Sequence, residues 1–131
     1  MSNCKALSMP STPIVKLSLS KSPPFRDPTL FRSIVGGLQY LTFTCPDISF
    51  AVNRIFQFVH CPTNLHWQAT KCILRYLFGT VYHGLFLAKS TSLTLSVFSD
   101  ADRGGSLDDH KSTSGYALYV GSNLVSWGSQ K

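Results

Sequence analysis

Apolar residues recur along this chain with two different periods, and the change from one to the other organises the reading. From Asp27 onward Leu30, Phe31, Ile34, Val35, Leu38 and Leu41 fall at helical spacing, which predicts a first helix over about 28–43. Asp27 followed by Pro28 supplies an N-cap and a proline at the first helical position. Gly36-Gly37 interrupts the pattern, weakening the helix or admitting a close neighbour. Pro46-Asp47 restarts it: Ile48, Val52, Ile55 and Val59 make one stripe, with Asn53, Arg54 and Gln57 on the other side. Cys61-Pro62-Thr63 ends this second helix and caps a third, His66 to Phe78, in which Ala69, Ile73, Leu74 and Leu77 keep the period. Lys71 and Arg75 sit four apart on its polar face, and Gly79 suits the position just after the end.

Beyond residue 80 the period becomes that of strands. Residues 84–87 (GLFL), 93–98 (LTLSVF), 116–120 (YALYV) and 124–127 (LVSW) are short runs of β-formers divided by Ser, Gly, Asn and Asp. Gly121-Ser122-Asn123 predicts a tight hairpin that pairs the last two runs antiparallel. The sequence stops at Lys131 with such a sheet still lacking a covering helix, so the sheet reads as incomplete. Residues 1–26 read as an extended Ser/Pro-rich arm that can lie across a surface without building a core. The fold class is α+β, with divisions at 1–26, 27–80 and 81–131.

Charge narrows the partners. Twelve Lys and Arg against six acids give +6, which favours polyanions such as nucleic acid. All six acids are Asp, and the chain contains no Glu. Four cysteines (Cys4, Cys45, Cys61, Cys72) lack paired C-x-x-C spacing and are expected to be reduced thiols inside a cell. His60, Cys61, His66 and Cys72 are spread between helices in a way that rarely converges on a tetrahedron, so no zinc is assigned. No apolar run is long enough to span a bilayer, and a soluble protein without a membrane partner is expected. The first 26 residues have the basic, Ser-rich, acid-free composition of an organellar transit peptide, although Pro10, Pro13, Pro23 and Pro24 suit a linker better.

The motif that raises a chemical question is SDADRGG, residues 99–105, where two acids one residue apart close a strand-like run. Asp100 and Asp102 share a face if the strand persists, and the glycines leave room for a cation and a phosphate; both carboxylates can equally be turn formers. A second acidic pair, Asp108-Asp109 after Ser106-Leu107, lacks the aromatic residue of a polymerase hairpin and reads as a solvated turn.

Taken in order, STPIVKLSLS, DPTLFRSIVGGLQYLTFTCPDISFAVN, HCPTNLHWQATKCILRYLFGT, HGLFL, LTLSVFSDADRGG and KSTSGYALYVGSNLVSWGSQK resemble the Pol polyprotein of copia-type LTR retrotransposons from about Ser11 to Lys131. The stretch is similar to the end of the reverse transcriptase, through its helical connection, into the start of the ribonuclease H domain. The resemblance implies a three-helix connection unit followed by the first strands of an incomplete ribonuclease H-like sheet. It also implies a parent that is an RNA-directed DNA polymerase with ribonuclease H activity. Asp100 falls on the family's Mg²⁺ position, with Asp102 as an outer acid or turn residue. Family chemistry uses two Mg²⁺ ions roughly 4 Å apart held by several acids. The Glu and further Asp residues of that set have no counterpart here, so catalysis by this chain alone and stable Mg²⁺ binding are not expected. Departures from the family pattern include Arg103 where Trp is usual, Cys45 in TCPD, and His110-Lys111 in place of two arginines.

Arg54, Lys71, Arg75 and Lys111 are the residues expected to contact a phosphate backbone of RNA, DNA or RNA–DNA hybrid, a sequence-independent and salt-sensitive mode. Trp67, Trp127, Tyr76, Tyr116 and Tyr119 are expected in the core, with base stacking the alternative. The functional expectation is a catalytically incomplete Pol segment. The alternatives are a basic, non-catalytic nucleic-acid-binding module, and a nuclease completed by a second polypeptide that carries the missing acids.

Overall fold

A computed structural model describes residues 5–10, 17, 22–104 and 108–131. The chain divides into two compact units, Met1–His83 and Gly84–Lys131. The first is helical: α1 (Pro28–Leu41), a single 3-10 turn (Pro46–Ile48), α2 (Ser49–Phe56) and α3 (Asn64–Gly79). The second is an antiparallel sheet of β1 (Leu95–Asp102), β2 (Thr113–Val120) and β3 (Asn123–Gln130), in that spatial order. The class is therefore α+β.

Helix α1 begins where the cap predicts, with the Asp27 carboxylate accepting the Leu30 N–H at 3.0 Å. It ends two residues before the expected 43. There the hydroxyls of Thr42 and Thr44 donate to the carbonyls of Gln39 and Leu41, satisfying trailing acceptors that a further helical turn would have used. Gly36 and Gly37 are exposed, and a Cβ at either would meet nothing within 4 Å, so they admit no close neighbour and the helix runs through them. The second helix stops at Phe56, short of Val59. Arg32 of α1 reaches the carbonyls of Val59 and His60 at 3.2 and 3.5 Å and takes over acceptors just beyond it. Helix α3 continues through Gly79, and Thr80 is its C-cap, so Gly79 is the last helical residue rather than the one after it.

The core lies wholly in the helical unit. Phe31, Val35 and Leu38 of α1, Ile48 of the 3-10 turn, Ala51, Val52 and Ile55 of α2, and Ile73 of α3 are each at most 4% exposed. The part of the arm from Pro23 to Phe25 is pinned beside it: Phe25 N–H donates to the Pro62 carbonyl, Asn64 N–H to that of Pro23, and Phe25 stacks on Trp67 at 4.7 Å.

In the sheet unit, β1 and β2 keep one register from Leu95↔Val120 to Asp102↔Thr113. The β2–β3 pairing slips once: Leu118 faces Ser126 and Tyr119 faces Leu124, which leaves Val125 as the extra residue of a bulge. The hairpin turn is the two residues Gly121-Ser122, and Gly121 has φ +60°, which a II′ turn requires at its first position. The expected strand at 84–87 does not form. Among the described residues no strand pairs with it, and the segment is held one residue later, where the Asn123 amide exchanges hydrogen bonds with the backbone of Ala88 at 2.7 and 2.8 Å. No described residue of this unit is buried, so Tyr116, expected in the core, is 49% exposed.

Candidate nucleic-acid face and the Asp100 strand end

The start of α3 fixes the direction of its polar face. Thr63 caps it reciprocally with His66: the Thr63 N–H donates to His66 Nδ1 at 3.0 Å, and the Thr63 hydroxyl lies 3.1 Å from the same nitrogen. His66 is fully buried and stacks on Phe58 with ring centres 4.0 Å apart, while the Thr70 hydroxyl donates to its carbonyl. This histidine serves the cap and the core.

Three of the four expected phosphate contacts belong to the helical unit. Lys71 is exposed on α3. Arg75, one turn on, is half-buried, and its Nε donates to the carbonyl of Lys5 in the arm at 2.8 Å. Arg54, half-buried on α2, lies over the Phe50 ring, 5.8 Å from its centre, a cation–π contact. Arg54 also lines a cavity of about 190 Å³ between α2 and α3, together with Gln68, Cys72 and the arm residues Pro10 and Leu17. The fourth, Lys111, belongs to the sheet unit, 3.8 Å from Asp109, which also takes Lys131 at 2.9 Å.

The acids of SDAD close β1 as the pattern predicts. The strand persists through Asp102, so Asp100 and Asp102 share a face, opposite Gly115 and Thr113. Both are exposed, and Asp100 Oδ1 accepts the N–H of Ala101 at 2.8 Å. Among the described residues no three His, Cys, Asp or Glu side chains come together as a metal would need. Two solvated carboxylates, one bonded to its own backbone, do not make the converging set that two Mg²⁺ ions require. Gly104 after them has φ +67°, and residues 105–107, including Gly105 and the Ser106-Leu107 half of the second acidic motif, lie outside the described residues; Asp108-Asp109 is a turn.

Three polar links were not legible in the sequence. Arg32 crosses from α1 to the end of α2, and Lys5 meets Arg75 through a backbone carbonyl, to which no side-chain pattern points. The Tyr76 hydroxyl donates a short hydrogen bond to Asp47, tying α3 to the 3-10 turn. That bond, helped by partial burial and by the negative charge of Asp47, pushes the Tyr76 phenol up to about 12. Among the described residues, Cys45, Cys61 and Cys72 are free thiols, and no helix is long and apolar enough to cross a membrane.

No family model matches the chain, and no solved structure matches it. Among curated proteins it is similar, over its whole length, to the retrovirus-related Pol polyproteins from transposons RE1 and RE2 of Arabidopsis thaliana, at 53% and 49% identity. It is 41% identical, again over its whole length, to an uncharacterized mitochondrial protein of Arabidopsis thaliana, of which it covers 54%. The chain spans about 9% of the length of either transposon polyprotein. Identity of that order over every residue, from the arm through the helices to β3, is the likeness that the motif series implied, and the chain belongs to the copia-type, retrovirus-related Pol polyproteins of transposons.

Proposed function

We propose that the helical unit holds the phosphate backbone of RNA, DNA or their hybrid, as the connection segment of an RNA-directed DNA polymerase. We further propose that the sheet is the opening of a ribonuclease H-like fold that performs no hydrolysis by itself. The observation that carries this reading is the distribution of charge. Residues 1–83 hold eight Lys and Arg against Asp27 and Asp47, which is +6; residues 84–131 hold four against four, which is zero. All the net charge therefore belongs to the unit with a packed core, where Lys71 is exposed on α3 and Arg54 and Arg75 are half-buried on α2 and α3. Contacts of this kind are indifferent to sequence and release counterions, so affinity falls with salt. Asp100 keeps the metal position of the family, but its two-carboxylate setting is too poor in acids to support catalysis.

The test is a titration of labelled single-stranded RNA across salt. Binding should weaken linearly on logarithmic axes, and Lys71→Ala should flatten the slope by about 0.7, the share of one phosphate on a single strand. Absence of binding at low salt removes the nucleic-acid part of the proposal. Cleavage of an RNA–DNA hybrid by the purified chain, lost in Asp100→Asn, would overturn the non-catalytic part.

A further inference from the structure

Gln68, Cys72, Arg75 and Gly79 recur at steps of four, three and four, so they form a single stripe along α3. The N-terminal arm meets this stripe at each point. The Lys5 carbonyl accepts Arg75 Nε at 2.8 Å. Ala6 sits against Gly79 so closely that a Cβ there would lie 2.7 Å from the Cβ of Ala6, an approach that only glycine allows. Pro10 and Leu17 wall the cavity that Gln68 and Cys72 line from the other side, and Leu17 packs on the core. Lys71, one position off the stripe, stays exposed.

From this arrangement we infer that the arm is a built-in competitor for the nucleic-acid face: docked on α3 it occupies Arg75, and arm and nucleic acid exclude one another there. The inference rests on the phosphate-binding reading above. The arm is suited to leave, because its described residues 5–10 form no helix or strand and meet α3 through the Arg75 hydrogen bond to Lys5 and through apolar contacts at Ala6 and Pro10. Docked, the chain offers a strand the Lys71 side of α3; undocked, it offers Arg75 as well. Exclusion is reciprocal, so whatever affinity the arm withholds, bound nucleic acid must return as release of the arm.

Gly79→Leu tests this, since it fills the space of Ala6 while leucine favours the helix over glycine. Two readouts are needed, binding of labelled single-stranded RNA across salt and peptide-resolved alkylation of Cys72. The variant should bind several-fold more tightly at low salt, with a salt slope steeper by about 0.7, the increment of one more phosphate. Cys72 should be alkylated faster in the variant, and faster in the wild type when RNA is bound. Leu17→Ser, which loosens the arm without adding charge beside Arg54, should move binding the same way. Equal or weaker binding by both variants, or a Cys72 whose alkylation RNA leaves unchanged, overturns the inference while phosphate binding stands. If neither wild type nor variants bind at low salt, the phosphate-binding reading falls and takes the inference with it.

Discussion

The helical unit and the sheet unit spend their apolar residues in opposite ways. In Met1–His83, eight apolar side chains from α1, the 3-10 turn, α2 and α3 reach at most 4% exposure. In Gly84–Lys131, no described residue is buried, and Leu95, Val97 and Phe98 are 63%, 59% and 64% exposed. The cause is the period. A helix with apolar residues every three or four positions has one face to cover, and three short helices cover one another. In β1, Leu95 and Val97 point to one side while Phe98 points to the other, so both faces of the sheet are apolar. Strands buried on both faces read as near-continuous apolar runs, and covering them takes layers on each side. Pairing within the sheet satisfies its backbone and fixes its register, but it removes little side-chain surface from water. The unit that packs is also the unit that carries the charge, and four of its eight basic residues, Arg32, Arg54, Lys71 and Arg75, stand on its helices.

The comparison breaks if the two units respond alike to loss of apolar volume. Ile73→Ala, at 1% exposure in the helical core, should cost about 2–5 kcal/mol, the transfer term plus the cavity. Val97→Ala, at 59% exposure, should cost less than about 1 kcal/mol, because little of its surface leaves water on folding. Trp67 and Trp127 report one unit each, so urea unfolding of the Trp127→Phe and Trp67→Phe backgrounds separates the signals. A Val97→Ala loss equal to that of Ile73→Ala would mean that the sheet is packed after all.

How much of this was legible depended on whether the decisive partner was near in sequence. The Asp27 cap, the Thr63 cap and the turn at Gly121 act within a few residues, and each was readable from residue type and spacing. The shared face of Asp100 and Asp102 follows from the strand period alone. What failed was long-range. Residues 84–87 have strand composition but, among the described residues, no strand to pair with, and composition cannot supply one; Asn123, thirty-five residues away from Ala88, holds the residue just after that segment. Arg75 was readable as a basic residue on a polar face, but its engagement with Lys5 spans seventy residues and uses a backbone atom that every residue possesses.

In the sheet, where burial contributes little, backbone conformation should be the larger lever. Gly121→Ala places a side chain at φ +60°, which costs about 1–2 kcal/mol, and sets its Cβ 2.7 Å from the Ser92 carbonyl oxygen. The Trp127 signal should therefore shift more for this single methyl than for the loss of two at Val97. Hydrogen exchange at Gly121, whose N–H donates to the Thr94 carbonyl, should quicken in the same variant. Unchanged exchange and stability would show that the turn tolerates a side chain, and that register is set elsewhere.

The smallest effect expected lies in the helical unit and is read by pH. The Tyr76 phenol is neutral when it donates to Asp47, and its folded value, about 12, stands above the ordinary 10.0. A group raised in this way contributes stability that is fully present below pH 10 and is lost as pH climbs through 12. The pair is open to solvent, so the contribution should be below about 1 kcal/mol, well under that of any core residue. Tyr76→Phe should accordingly lower the urea midpoint slightly below pH 10, and the gap to the wild type should close toward 12. An ultraviolet difference titration between the two proteins should show one tyrosine fewer ionising near 12. If the two proteins show no gap at any pH, the hydroxyl is not what Tyr76 contributes and its hold on the 3-10 turn is the packing of its ring alone; a gap that persists unchanged through that interval would mean that the phenol does not ionise there.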